Sequence, residues 1–220
     1  MTFFLAIQST YYAIEYALYQ EQEMLASGVL DKLVASGALI PSLQEILQRH
    51  NVSLNMLSFI VANRGPAPFT TLRVLIATIN GLQYVQKIPL IGLDGFDVWF
   101  RQIPDNSIDT AILMNAFNQE VYVAWRAAGG ETYISWYGPI QDVIQQLCHY
   151  TSGQLQVAGN AIVLYTSLLE QAMSNHVRYF PDDITHGSLP RVAELGLSLW
   201  HQKNISHDPL VPLYLKTIAI

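Results

Sequence analysis

Apolar positions along this chain follow two periods, one of strands and one of helices. Phe3 to Ile7 is a continuous apolar run of buried-strand type. Tyr11 to Tyr19 alternates, with Tyr12, Ile14, Tyr16 and Leu18 on one side, and Met24 to Leu30 predicts a third strand around Gly28. Leu39 to His50 has helical spacing, with Leu39, Leu43, Ile46 and Leu47 on one face. Met56 to Ala62 predicts a strand, Thr71 to Gln86 a helix, and Pro89 to Leu93 a short strand. Thr110 to Ala116, Glu120 to Arg126 and Thr132 to Tyr137 then predict three more strands. A helix from Pro139 to about Tyr150, a strand over 154–158 and a helix over 161–174 follow, and Leu189 to Gln202 predicts the last helix.

The order of three strands, helix, strand, helix therefore occurs twice. That predicts an α/β protein of two actin-like (ribonuclease H-like) subdomains, each a mixed sheet with helices. The expected boundaries are 1–103 and 108–189, with a tail over 205–220. Gln102 to Ser107, containing Pro104, Asp105 and Asn106, marks the expected join. The helix at about 190–204 is expected to pack back on the first subdomain.

The helix after Phe59–Ala62 has an unusual pattern. Asn63, Gly65, Pro66 and Pro68 predict a tight loop, and Thr70 or Thr71 offers a capping oxygen. Leu72, Leu75, Ile76, Ile79 and Leu82 fall on one stripe. Val74, Ala77, Thr78, Gly81 and Val85 fall opposite, and only Arg73 and Asn80 form a polar strip between them. A helix apolar on two faces needs two covers. One is its own sheet; the other is expected to be a second chain, admitted closely at the small Ala77/Gly81 pair.

Composition narrows the partners. With 13% charged and 51% hydrophobic residues in 220, the surface is expected to hold more apolar area than a lone monomer keeps. A net charge of −6 with scattered Lys and Arg argues against direct phosphate-backbone binding, so any RNA would be held by another subunit. Cys148 is the single cysteine, excludes an internal disulfide and is expected to be a small apolar filler. No apolar run approaches the ~20 residues of a membrane span, and Phe3 to Ile7 is too short for a signal peptide, so a cytoplasmic protein is expected.

Chemistry is sparsely equipped. An actin-like ATPase needs glycine-rich turns for phosphate and an acid for magnesium. Here Gln8 precedes Ser9, Thr10, Tyr11 and Tyr12, Asn115 to Gln119 has neither glycine nor acid, and Gly159 alone remains in the adenosine-side loop. None of the six histidines stands four from another, although His176, His186, His201 and His207 lie loosely together with Asp182 and Asp183 nearby. No Ser or Cys stands in a nucleophile elbow. Neither catalytic, cofactor nor metal-binding residues are assigned. Arg73 is open to reading as an anion clamp or as a tie to loop carbonyls or a neighbouring acid, and Glu15 as a surface residue or a partner of a basic group.

The residues around the loop carry a family resemblance. Arg64, Gly65, Pro66, Phe69, Thr70, Leu72 and Arg73, then Ile88, Pro89, Leu90, Ile91 and Gly92, resemble the TsaB (YeaZ) family's Gly-Arg-Gly-Pro-Gly-Ser-Phe-Thr-Gly-Leu-Arg and Pro-Leu-Ile-Gly segments. Asn63, Ala67, Pro68 and Thr71 depart from it. Phe4 to Thr10, Glu120 to Tyr122, Val157 to Ala161, Pro190 to Trp200 and Pro212 to Lys216 extend the likeness along the chain. The resemblance implies a non-catalytic subunit of the machinery that makes threonylcarbamoyladenosine on tRNA. It implies a TsaD-type catalytic partner, a TsaE-type ATPase, and tRNA met only indirectly. The partner-binding residues would be Arg73, Val74, Ala77, Thr78, Gly81 and Val85, beside a motif loop of Arg64, Gly65, Pro66, Phe69 and Thr70. A homodimer is expected when the partner is missing. The alternatives are an ATP-dependent phosphotransferase that uses an interdomain cleft, and a self-associating structural protein.

Overall fold

The computed structural model describes residues 1–103, 105–180, 186–203 and 208–215. Pro104, Asp182, Asp183, His207, Lys216 and half of the expected 205–220 tail lie outside the described residues. The chain forms two compact units, Met1–Val98 with Ser188–Leu213, and Trp99–Gly187 with the chain from Tyr214. The change of unit falls inside a helix, ahead of the expected Gln102–Ser107 join.

The first unit is built on strands β1 (Phe3–Ser9), β2 (Ala13–Gln20), β3 (Glu23–Asp31), β4 (Leu57–Asn63) and β5 (Leu90–Leu93). They form one sheet in the order β3-β2-β1-β4-β5, antiparallel among the first three and parallel from β1 to β5. Strand alternation gives the sheet two buried faces. Leu5, Ile7, Ile14, Leu18, Ile60 and Ala62 pack against helices α1 (Ala35–Arg49) and α2 (Phe69–Gln86). Phe4, Ala6, Ala17, Tyr19, Phe59 and Val61 look the other way, towards Leu189, Val192, Ala193 and Leu197 of the last helix (Leu189–His201). Tyr19, Phe4, Phe59 and Trp200 stack in series there, with ring centroids 5.1, 4.5 and 5.0 Å apart.

The helix α3 (Gly95–Gln102) carries the chain into the second unit, and the sequence pattern had not predicted it. Strands β6 (Asp109–Asn115), β7 (Glu120–Arg126), β8 (Ile134–Pro139), β9 (Leu155–Ala158) and β10 (Val177–Tyr179) make a second sheet, ordered β10-β9-β6-β7-β8. Leu113, Val121, Val123 and Val157 bury one of its faces under α4 (Ile140–Tyr150) and α5 (Ile162–Met173). Counted from the central strand, the two sheets have the same order and directions, which is the duplicated actin-like arrangement the pattern predicts. The last helix, labelled α6, returns to the first unit.

Several local expectations are corrected. Strand β10 was missed because three residues, one of them the exposed Arg178, carry too short a pattern to read. Helix α1 begins at Ala35 rather than Leu39, through Gly37 and over Pro41, both weak helix formers. Tyr12 is 67% exposed in the turn before β2 instead of aligned with Ile14. Neither Thr70 nor Thr71 caps α2. Pro68 stands at the cap with extended ψ, and its carbonyl accepts the first helical bond from Leu72 at 3.0 Å. Cys148 is exposed on α4, not a core filler.

Close approach rather than a turn explains Gly196 in α6: a Cβ there would meet the Val61 side chain at 2.6 Å. Gly196→Ala is expected to push α6 off β4 and lower stability by about 1–3 kcal/mol, read from the denaturant midpoint. A midpoint equal to the parent's would contradict this packing.

Candidate docking site

Helix α2 lies on the first sheet through Thr71, Leu72, Leu75, Ile76 and Ile79, all buried. Its flanks are closed by the chain itself. On one side Val74 and Leu82 are half-buried and pack into the core that α1 shares. On the other, Asn80 donates from Nδ2 to the Leu210 carbonyl at 2.9 Å and accepts from the Leu210 N–H at 2.8 Å. The two-faced pattern is therefore corrected at Val74, which belongs to the flank, and at Asn80, which is joined to the tail rather than free as a polar strip. Thr78 is likewise half-buried.

What remains exposed is a roof of Thr70, Arg73, Ala77, Gly81, Tyr84 and Val85. Tyr84 is 74% and Val85 70% exposed, and a Cβ on Gly81 would meet nothing within 4 Å. Tyr84 was absent from the residues predicted for this surface; counting a third helical turn beyond Arg73 and Ala77 would have found it. The Arg73 guanidinium stacks 3.5 Å over the Phe69 ring at the start of the roof.

The motif loop is organised inward. Gly65 has φ +111, a conformation that favours glycine, donates to Asn63 Oδ1 at 2.9 Å and accepts from the Gly95 N–H at 2.7 Å. Gly65 and Pro66 are buried. Arg64 runs its side chain over Gly92, where a Cβ would stand 2.4 Å from Arg64 Cδ, and reaches the Val211 carbonyl at 3.4 Å. Thus Arg64, Gly65 and Pro66 shape the loop, whereas Phe69, Thr70 and Arg73 face outward.

The turns that would hold a nucleotide in an actin-like ATPase are bonded within the chain here. Gln8 is buried opposite Glu15 across β1 and β2 and donates to its carboxylate at 2.7 Å. Half-buried Glu15 thus accepts from an amide. Thr10 Oγ1 closes its own turn, accepting from the Ala13 N–H and donating to the Ala13 carbonyl, both at 3.1 Å. Phe117, Asn118 and Gln119 all have positive φ, and the Gln119 carbonyl accepts the first amide of α4 at 2.9 Å. A Cβ on Gly159 would lie 2.1 Å from the Leu113 carbonyl oxygen, so packing alone requires that glycine. Ionisation is displaced elsewhere. Burial raises the Tyr19 phenol and lowers the Arg126 guanidinium, and bonds from Thr2 and Ser107 lower Glu21 and Asp105 respectively. Among the described residues, no group of three His, Cys, Asp or Glu could hold a metal, and no helix is long and apolar enough to cross a membrane.

A family model described as "TsaD: tRNA N6-adenosine threonylcarbamoyltransferase" matches residues 35–175. The chain belongs to this family. The tRNA threonylcarbamoyladenosine biosynthesis protein TsaB of Buchnera aphidicola subsp. Baizongia pistaciae (strain Bp) is 27% identical over 88 residues, 40% of this chain and 40% of the relative. The match thus spans less than half the length of that curated relative. Among solved structures, YeaZ from Pseudomonas aeruginosa superposes with a TM-score of 0.74 at 19% identity, covering 98% of this chain and all of that one. A Pseudomonas aeruginosa protein described as similar to peptidase YEAZ gives a TM-score of 0.75 with the same identity and coverage. Ethanolamine utilization protein EutJ from Carboxydothermus hydrogenoformans gives 0.51 at 10% identity over 90% of each chain. These bear out the likeness to TsaB (YeaZ) that the motif carries, and the actin-like fold.

The Gln8–Glu15 pair makes a sharp test of the turn. Gln8→Asp would set a second carboxyl against Glu15, so the folded pair would hold a proton more tightly than the unfolded chain does. Stability then remains while pH is below the usual carboxylate range and is lost as pH rises past it. The variant's unfolding midpoint is expected to fall well below the parent's at about pH 8 and to approach it near pH 4. A gap that does not change with pH would contradict the pairing.

Proposed function

We propose that this chain is a non-catalytic subunit in the biosynthesis of threonylcarbamoyladenosine on tRNA. In this reading it docks through the roof of α2 onto a TsaD-type catalytic subunit, and the TsaE-type ATPase is a further member of the assembly. The observation that carries the reading is the α2 roof itself. Its floor and both flanks are closed by the chain's own residues, yet Ala77, Gly81, Tyr84 and Val85 stand exposed. Family membership and the TsaB relative supply the pathway.

A small-residue notch between larger side chains suits close helix–helix approach, with a buried area of roughly 800 Å² on each partner. Tyr84 is the residue type that most often anchors such interfaces. The net charge of −6 leaves the tRNA to another subunit. The turns around Gln8 and Gln119 support a role without ATP chemistry of its own. Without its partner, the same roof pairs with a second copy, because an exposed apolar face favours association.

Ala77→Trp is expected to abolish co-purification with the TsaD-type subunit and to leave the isolated fold intact by circular dichroism and unfolding midpoint. A complex that survives this substitution would overturn the docking. Sedimentation of the unpartnered chain at tens of micromolar is expected to show a dimer that Ala77→Trp converts to monomer. A monomeric parent chain would count against self-pairing.

A further inference from the structure

The residues 208–213 have no helical or strand structure, yet they are attached to α2 at Asn80 and to the loop before it at Arg64. The Leu210 backbone forms both bonds of the Asn80 amide. The Leu213 N–H donates to the Arg64 carbonyl at 2.8 Å, and Arg64 returns a contact to the Val211 carbonyl. The Leu210 side chain is half-buried in the first core, over Gly92, where a Cβ would come within 2.9 Å of it. Leu210 thus sits beside the third turn of α2, and Leu213 beside the loop that precedes it. The segment runs antiparallel to the helix, from its middle to its start.

An asparagine in mid-helix ordinarily competes with the helix backbone and weakens it. Here its donor and acceptor engage one residue's backbone, as a neighbouring strand would, which fixes position and not merely proximity. Counting 100° per residue, Phe69, Asn80 and Arg73 fall within a sector of about 40°. The segment therefore lies on the side of α2 that carries the stacked Phe69–Arg73 pair. Its Val211 side chain is 60% exposed there.

We propose that residues 208–213 form a strap that completes the docking surface. Asn80 is its positioning residue, and Val211 is an apolar rim presented to the docked subunit. This inference rests on the docking reading of α2 given above. A strap held at its middle by the Asn80 amide and the packed Leu210, and at its end by Arg64, is placed by the fold. Removing the Asn80 or Leu210 attachment loosens it without unfolding the sheet beneath.

The test uses the full chain, amide exchange corrected for intrinsic rates, and affinity for the TsaD-type subunit. Asn80→Leu keeps the side-chain size and removes both bonds. It is expected to speed exchange at the Leu210 and Leu213 amides at least about tenfold and to weaken docking by about tenfold. Val211→Asp leaves the strap's bonds in place, so exchange should stay at the parent rate while docking weakens by a similar factor. If both variants dock as the parent does while Ala77→Trp does not, the strap is no part of the surface and this inference alone fails. If Ala77→Trp also docks normally, the docking reading fails first. Parent-like exchange at Leu213 in Asn80→Leu would overturn the positioning role of Asn80 whichever way docking falls. Should Asn80→Leu destabilise the fold, Leu210→Ala loosens the same point from the strap side, with the same expected and contrary results.

Discussion

A helix laid on a sheet can be covered by its own domain below and on both sides, but not above. Everything else in this molecule depends on how α2 meets that limit. Its floor of Leu72, Leu75, Ile76 and Ile79 packs over β1 and β2, and α1 closes one flank. Most surface helices answer the open roof with charge. This one carries Ala77, Gly81, Tyr84 and Val85 instead, with Arg73 folded over Phe69. Removing such a roof from water is favourable in proportion to its area, which is the physical basis for proposing a second chain as its cover.

The opposite flank is closed by polar means. Asn80 does for residue 210 what a strand does for its neighbour, and Gly92 makes room beneath it for both Leu210 and Arg64. The motif loop is anchored to the same segment through the Arg64 carbonyl. Loop and tail are therefore bonded to each other, and residues that resemble the family motif divide into an inner set that shapes the loop and an outer set on the surface.

The duplicated fold fixes an architecture, and the residues at its turns decide what chemistry it can host. In the first hairpin the position that an ATPase gives to an acid is Gln8, joined to Glu15 inside the sheet. In the second, three consecutive left-handed residues, Phe117 to Gln119, take the turn, and its carbonyl is used to start α4.

Most of the architecture was legible in the amino-acid order, because burial on one face imprints a period of two or of 3.6 on most elements. Strand β7 was read to its exact ends for that reason, and the repeat of three strands, helix, strand, helix named the fold class. Elements with little room for a period were lost: β10 has three residues, and α3 sits where the chain changes units. The floor of α2 was equally visible, since each of its residues points to the same sheet. Its flanks were not. Whether Val74 is roof or flank depends on where α1 lies, and whether Asn80 is solvated depends on a segment 130 residues further along. Helical spacing tells which residues share a side of the helix; only the folded chain decides which sides are already taken.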